Sequence, residues 1–419
     1  MHYEKDGRII HKTGEFILVI GVSGGIKACK TKMIMTRKRF LVVSMDMGDS
    51  APGVVFKTLS KALYKYADVD VLSPKFDKCD TLEGIGKTRL HHYRSISWPD
   101  IKKLWKYFRF NYNDLWWIMV NLYPAVKSLH KKKYHGVISF TSMNYFPSIR
   151  LGKILARILG VPWTIYSVDG IPSPVDWLEG DDEIHALLSA HIDRCCRNAD
   201  FMFSSNKFMM AYQKQICHSF AGKWSYLYTP YKQKSDYARS EHKDYNFLYT
   251  DSLYGLRRVD GILAGFRLFL QDYSDSKLIF VGAVDQSYFD SAQDLIRNGN
   301  VIVHPFSRDL TAYYQDADVL VDIGADIPDD VFLSSKIVSY LSIDRPILAV
   351  TGNNSPVRNI MGRLQSIIHC SNQESDVYRA LQDCIAVIGK GIEDRVGLLD
   401  EFDPDTIARK LFDTISGNP

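Results

Sequence analysis

Short apolar runs suited to buried strands alternate with longer segments whose apolar residues recur at helical spacing. The alternation occurs twice, on either side of a polar stretch at 231–245, YKQKSDYARSEHKDY. A strand, a helix and a second strand return to one sheet as a right-handed parallel crossover, so the pattern points to an α/β chain with doubly wound parallel sheets. Before the polar stretch the strand-like runs are 40–45, 69–72, 136–140, 163–168 and 201–204, interleaved with helical segments at 54–65, 115–126, 146–159, 182–198 and 206–217. After it come strands at 247–250, 277–282, 301–304, 319–324, 347–350 and 367–369, with helices at 257–270, 286–297, 309–317, 356–364 and 375–388. The polar stretch has no periodicity, as linkers do not. A chain of 419 residues can give each half its own core. The expected organisation is an N-terminal extension at 1–34, one domain at 35–235, a second at 236–402 and a closing helix at 403–419, with Pro404 suited to a first turn.

The first 34 residues carry their own strand and glycine turn, FILVIGVSGG, which has the look of a dinucleotide-fold opening. A fuller opening follows at once: an apolar strand from Phe40, a glycine-bounded turn Gly48-Asp49-Ser50-Ala51-Pro52-Gly53, and a helix. The domain is therefore expected to begin near Met35, the preceding segment being an extension, a product of an upstream misassigned start, or an additional strand. Neither turn completes a GxGxxG motif.

Composition narrows the function classes. Hydrophobic residues make up 46% and charged residues 24%, an ordinary globular balance. A net charge of +4 is too small to argue for nucleic acid, and no nucleic-acid partner is expected. Seven cysteines, none in a CxxC pair, favour neither a disulfide scaffold nor a zinc site and fit a reducing cytoplasm. No apolar run approaches the ~20 residues of a membrane span. Between 102 and 133, however, bases (Lys102, Lys103, Lys106, Arg109, Lys127, Lys131, Lys132, Lys133) interleave with aromatics (Trp105, Trp116, Trp117, Tyr123). This is either a solvated helix face or a contact surface for anionic lipid headgroups.

The stretch 330–352, DVFLSSKIVSYLSIDRPILAVTG, reads either as an ordinary capped amphipathic helix with one solvated lysine or as a phosphate site. Ser334 and Ser335 can cap a helix carrying Ile337, Val338, Tyr340 and Leu341, and Lys336 adds an ammonium beside the free N–H groups of the first turn. In doubly wound sheets ligands bind beyond the carboxyl ends of strands, which singles out Asn144 and Tyr145, then Asp169 with Gly170 beside it to allow close approach.

At this point the second half resembles the nucleotide-sugar-binding half of a GT-B fold glycosyltransferase of the family 4 kind. The resemblance is carried by FLYTDSLYGLRR at 247–258, by LIFVG at 278–282, by QDADVLV at 315–321 and by Ser335-Lys336 through Pro346-Ile347-Leu348-Ala349. The first half agrees through Gly48–Gly53 and Asp169, so the resemblance covers 38–416. It implies two Rossmann-like domains facing a cleft. It places the family's phosphate-binding lysine at Arg257 and the preceding arginine at Ser252, so that Arg258 or Lys336 would have to supply the missing cation. The family's paired glutamates fall on Val331, with Asp329 and Asp330 beside it, and on Ser339; its histidine before the Asp169 position is Val168.

The resemblance implies transfer of a sugar from a nucleotide-sugar donor to a glycan or lipid-linked acceptor, as in surface polysaccharide biosynthesis, by a cytoplasmic protein peripheral to the inner face of the membrane. Donor contacts are expected from Arg257, Arg258, Gly282, Asp330, Ser334, Ser335, Lys336 and Ser339. Acceptor or sugar contacts are expected from Gly48, Asp49, Ser50, Gly53, Asn144 and Tyr145, with Asp169 catalytic. No DxD-type carboxylate cluster stands out, so neither a metal nor a cofactor is expected, fixed cations serving the leaving diphosphate. Two alternatives share the diphosphate site: a sugar-nucleotide epimerase drawing acids and bases from Asp169, His304 and Asp330, or a non-catalytic sugar-nucleotide-binding protein.

Overall fold

The computed structural model describes the backbone of four strands within residues 1–36. From 37 onward it describes all residues except 78–81, 93–102, 143–145, 179–181, 232–236, 242, 329 and 418–419, and the side chains of 103–113 and 178 are also outside it. Strands β1 (His2–Lys5), β2 (Arg8–Thr13), β3 (Phe16–Gly21) and β4 (Lys32–Met35) form an antiparallel sheet of their own. The FILVIG run is thus β3 of a separate sheet and not the opening strand of a doubly wound domain.

That opening falls to β5 (Arg39–Ser44), inside a seven-stranded sheet. Its other strands are β6 (Asp68–Ser73), β7 (Gly86–Arg89), β8 (Gly136–Thr141), β9 (Trp163–Ser167), β10 (Phe201–Ser204) and β11 (Lys223–Tyr226), in the order β11-β10-β9-β8-β5-β6-β7. Every neighbouring pair is parallel. The chain runs from β5 outward through β6 to β7, then crosses to β8 and proceeds the other way, so the direction reverses between β5 and β8. The second domain repeats the design with β12 (Asn246–Thr250), β13 (Lys277–Val281), β14 (Val301–His304), β15 (Val319–Ile323), β16 (Ile347–Val350) and β17 (Ile367–Cys370), in the order β14-β13-β12-β15-β16-β17, all parallel. Its reversal lies between β12 and β15. Strands β8, β9, β12, β15 and β16 are buried along their whole length, which is why they read as continuous apolar runs.

The helices are α1 (Ala51–Tyr64), α2 (Lys103–Ser128), α3 (Phe146–Leu159), α4 (Asp182–Cys196), α5 (Lys207–Ile216), α6 (Asp260–Phe269), α7 (Gln293–Arg297), α8 (Thr311–Asp316), α9 (Ser335–Tyr340), α10 (Pro356–Met361), α11 (Glu374–Ala386), α12 (Val396–Phe402) and α13 (Pro404–Ser416). Side-chain caps hold several helix ends. Ser50 accepts the Gly53 N–H ahead of α1, and Asp403 accepts the N–H groups of Asp405 and Thr406, with Pro404 in the first turn of α13. Helix α13 returns to the first domain and packs on α1. Phe412 meets Phe40 edge-on at 6.2 Å, and Lys65 pairs with Asp405 at 2.6 Å. Beside that return, Tyr228 stacks on Phe402 with ring centroids 4.4 Å apart, tying the outgoing linker to the returning chain.

Several boundaries differ from the sequence reading. Strands β7 (GKTR) and β11 (KWSY) lie at the sheet edges and are short and polar, so no apolar run announces them. Helix α6 starts at Asp260 rather than 257, because the preceding loop, with Gly255 at φ 65°, carries Arg257 into a bridge with Ala325. The segment expected as one helix at 286–297 begins as a 3-10 turn, Gln286–Ala292, before α7.

Candidate functional site

The two sheet reversals face each other, and a cavity of about 400 Å3 lies between them. The first domain contributes Ala51, Pro52, Val55, Ser142, Asp169 and Trp177; the second contributes Asp251, Tyr254, Arg257, Phe332, Ser334 and Ser335.

On the first-domain side the turn after β5 wraps a buried carboxylate. Asp46 accepts the Gly48 N–H at 2.6 Å, the Ser50 hydroxyl at 2.8 Å and the Lys75 ammonium at 2.9 Å. A Cβ at Gly48 or Gly53 would come within 3.0 or 2.8 Å of Asp46 Oδ1, so the glycines let the turn close on that carboxylate. Of this turn, Ala51 and Pro52 line the cavity, while Gly48, Asp49, Ser50 and Gly53 shape it from outside the lining. Asp49 instead spans the domains, its carboxylate 2.6 Å from the guanidinium of Arg308. Asp169, at the carboxyl end of β9, lines the cavity. Asn144 and Tyr145 lie outside the described residues.

On the second-domain side the loop after β12 turns sharply. Asp251 has φ 121°, and its N–H bonds Val281 O at 2.9 Å. A Cβ on Gly282 would lie 1.9 Å from Asp251 O, so Gly282 lets this backbone approach and does not itself line the cavity. Arg257 is held by the Ser252 carbonyl at 3.3 Å and lies 4.5 Å from the Tyr254 ring centroid. Arg258 is exposed and does not line the cavity; its carbonyl receives Asn372 Nδ2.

The start of α9 is capped as its sequence suggests: Ser334 accepts the Ile337 N–H and donates to Asp322 at 2.8 Å. Ser335 is exposed at the cavity. Lys336, expected beside them on the diphosphate, is buried outside the cavity lining, with its ammonium 3.6 Å from Asp322 and 3.9 Å from the Tyr249 ring centroid. Helical geometry is the reason. Residues one position apart point about 100° away from each other, so when Ser335 faces out Lys336 turns toward the sheet. Ser339 spends its hydroxyl on Ser335 O at 3.1 Å, within the helix. Asp330 accepts the Phe332 N–H at 2.9 Å, and burial pushes its carboxyl up to about 6. It does not line the cavity, and neither does His304.

The sequence reading missed the aromatic contact across the cleft. Trp177, on a 3-10 turn Val175–Leu178 after β9, meets Phe332 at 5.3 Å and Tyr254 at 6.3 Å. Asn206 Nδ2 also crosses, donating to Val331 O at 3.0 Å. The available signal for Trp177 was its place in the IPSPVDW loop beyond a strand end. Among the described residues no group of three or more His, Cys, Asp or Glu is placed to hold a metal ion, and no helix is long and apolar enough to cross a membrane.

By sequence the chain matches no protein-family model and no curated protein. By structure it is similar to sucrose-phosphate synthase from Thermosynechococcus elongatus, at 13% identity over 91% of this chain and 99% of that one, with a TM-score of 0.64. It is also similar to HepE from Anabaena in complex with UDP-glucose, at 14% identity over 90% and 99% of the two chains, TM-score 0.62. WaaG, a glycosyltransferase involved in lipopolysaccharide biosynthesis, matches at 12% identity over 90% and 100%, TM-score 0.60. Two doubly wound parallel domains, a cavity where their sheet reversals meet, and these likenesses over nine-tenths of the chain establish that the protein has the GT-B fold of glycosyltransferases.

Proposed function

We propose that the protein is a glycosyltransferase that moves a sugar from a nucleotide-sugar donor to a glycan or lipid-linked acceptor in surface polysaccharide biosynthesis, at the cytoplasmic face of a membrane. One observation carries this reading: Asp169 of the first domain and Arg257 of the second line the same cavity from opposite sides. In this reading Arg257 balances the charge that grows on the leaving diphosphate, joined by the Ser335 hydroxyl and the N–H groups at the start of α9, so the reading requires no metal. In the same reading Asp169 orients or deprotonates the attacking hydroxyl. The indole N–H of Trp177, without a hydrogen-bond partner among the described residues, offers a donor suited to a polyhydroxylated ligand.

The UDP and UDP-glucose bound by the similar HepE make UDP-sugars the first probes. The test is release of nucleoside diphosphate from a panel of nucleotide-sugars, with and without acceptor glycans. Release that rises with an acceptor is the expected result, whereas no release from any donor overturns the reading. An isomerised donor would identify an epimerase, although of Asp169, His304 and Asp330 only Asp169 lines the cavity. Binding without turnover would make the protein a sugar-nucleotide sensor, a second reading that rests on Lys336 and Ser339 being engaged within the second domain and not at the cavity.

A further inference from the structure

Helix α5 buries one face against the loop that follows β9, and that face is not wholly apolar: with Met209 and Ile216 it turns inward Gln213, which is 1% exposed. A buried amide is costly unless its donors and acceptor are paired. Gln213 finds most of its partners on one residue of the loop. Its Oε1 accepts the Ile171 N–H at 3.0 Å, and its Nε2 donates to Ile171 O at 2.7 Å and to Cys217 Sγ at 3.4 Å. The neighbouring Tyr212 hydroxyl donates to Pro172 O at 2.9 Å. A buried loop has no strand ladder to satisfy its backbone groups, so the side chains of α5 take the place of a neighbouring strand. Gly170 lets the two come close, since a Cβ there would lie 3.0 Å from Tyr212 Cε1. Asp169 stands just before this anchor and Trp177 at the far end of the same loop, and both line the cleft cavity.

The same helix reaches the second domain. Asn206, about two turns before Gln213, is the N-cap of α5. Its Oδ1 accepts the N–H groups of Phe208 and Met209 at 2.8 and 2.9 Å, while its Nδ2 donates to Val331 O at 3.0 Å. Val331 opens the segment whose Phe332, Ser334 and Ser335 line the cavity from the other side. One short helix is thus hydrogen-bonded to one wall of the cleft at its start and to the opposite wall farther along.

We infer that α5 is the strut that sets the two cavity walls against each other, with Gln213 and Asn206 as positioning residues. Gln213 holds the loop that carries Asp169 and Trp177, and Asn206 ties that loop to the segment that carries Ser334 and Ser335. Neither residue lines the cavity, so both act through the groups they hold. The inference rests on the transferase reading.

The test compares initial rates of the full chain and its variants with the nucleotide-sugar that the parent turns over, alongside calorimetric affinity for the corresponding nucleoside diphosphate. Gln213→Leu is close in size and lacks both polar atoms. It should lower kcat by about 10- to 100-fold, because a misplacement of about 1 Å far from the chemistry can cost that much. Diphosphate affinity should stay nearly unchanged, since Arg257 and Ser335 belong to the second domain. Asn206→Ser keeps a capping oxygen but is too short to reach Val331 O, and it should lower kcat in the same way. Circular dichroism checks folding, and Asn206→Ser carries the test should Gln213→Leu not fold. Substitutions this far apart ordinarily add. With α5 as a single strut, the double variant should lose little more than Gln213→Leu alone, the loop having already come free of the helix. An unaltered kcat in the folded variants, a loss confined to diphosphate affinity, or fully additive losses would overturn the strut and leave the transferase reading standing. A parent that releases no diphosphate from any donor would overturn both.

Discussion

The Lys336 ammonium lies 3.6 Å from Asp322 Oδ1, and both side chains are buried, at 5% and 0% exposure. The pair joins α9 to the end of β15 under the floor of the cleft. Removing one partner of a buried pair leaves the other charge uncompensated, at a cost of about 3–5 kcal/mol. Lys336→Ala is therefore expected to lower stability by roughly that amount. Pairing Lys336→Met with Asp322→Asn should recover most of it, since the amide oxygen of the replacement can still accept from Ser334. Chemical denaturation reads both, and a Lys336→Ala protein as stable as the parent would contradict the assignment.

Arg257 and Asp169 should separate by kinetics. A charge-assisted hydrogen bond is worth about 1.5–3 kcal/mol, so Arg257→Ala should weaken nucleoside diphosphate binding by about 10- to 100-fold. Asp169→Asn should leave that affinity nearly unchanged and slow sugar transfer by about 100-fold or more. Calorimetry with the diphosphate and initial rates of its release report the two effects. Similar binding losses in both variants would show that Asp169 holds the donor instead.

Gly282→Ala places a Cβ 1.9 Å from Asp251 O, where two backbones meet and neither can rotate away. Strain of this kind costs about 1–3 kcal/mol and should move the Asp251 loop out of the cavity wall. A lowered melting temperature together with weaker diphosphate binding is the expected pair of results. A change in melting temperature alone would show that the loop does not shape the ligand site.

Asp330 gives a pH dependence. Burial raises its carboxyl to about 6, so between its unfolded value near 4 and about 6 the folded state holds a proton that the unfolded chain has lost. Its contribution to stability is full below the unfolded value and disappears as pH rises through 6. Asp330→Asn keeps an acceptor for the Phe332 N–H and removes the titration. The variant should match the parent near pH 4 and exceed it at pH 8 by on the order of 1 kcal/mol, because water still reaches the half-buried group. Unfolding curves at the two pH values check this, and parallel profiles would assign the pH dependence elsewhere.

The sequence by itself determined the two doubly wound domains, because strands buried on both faces must be apolar throughout and the helices over them carry one apolar face. Local hydrogen bonding likewise made the cap at Ser334 legible, its partner Ile337 lying three residues on, and the fixed φ of proline made Pro404 legible in the first turn of α13. Only the tertiary structure decided which neighbours of a motif face the ligand. Ser335 and Lys336 are adjacent in the chain, yet one reaches the cavity and the other reaches Asp322 and Tyr249. The contacts of Trp177 with Tyr254 and Phe332, and of Asp49 with Arg308, join positions far apart in the chain. No periodicity encodes such pairs, since they depend on how two separately folded domains rest on each other.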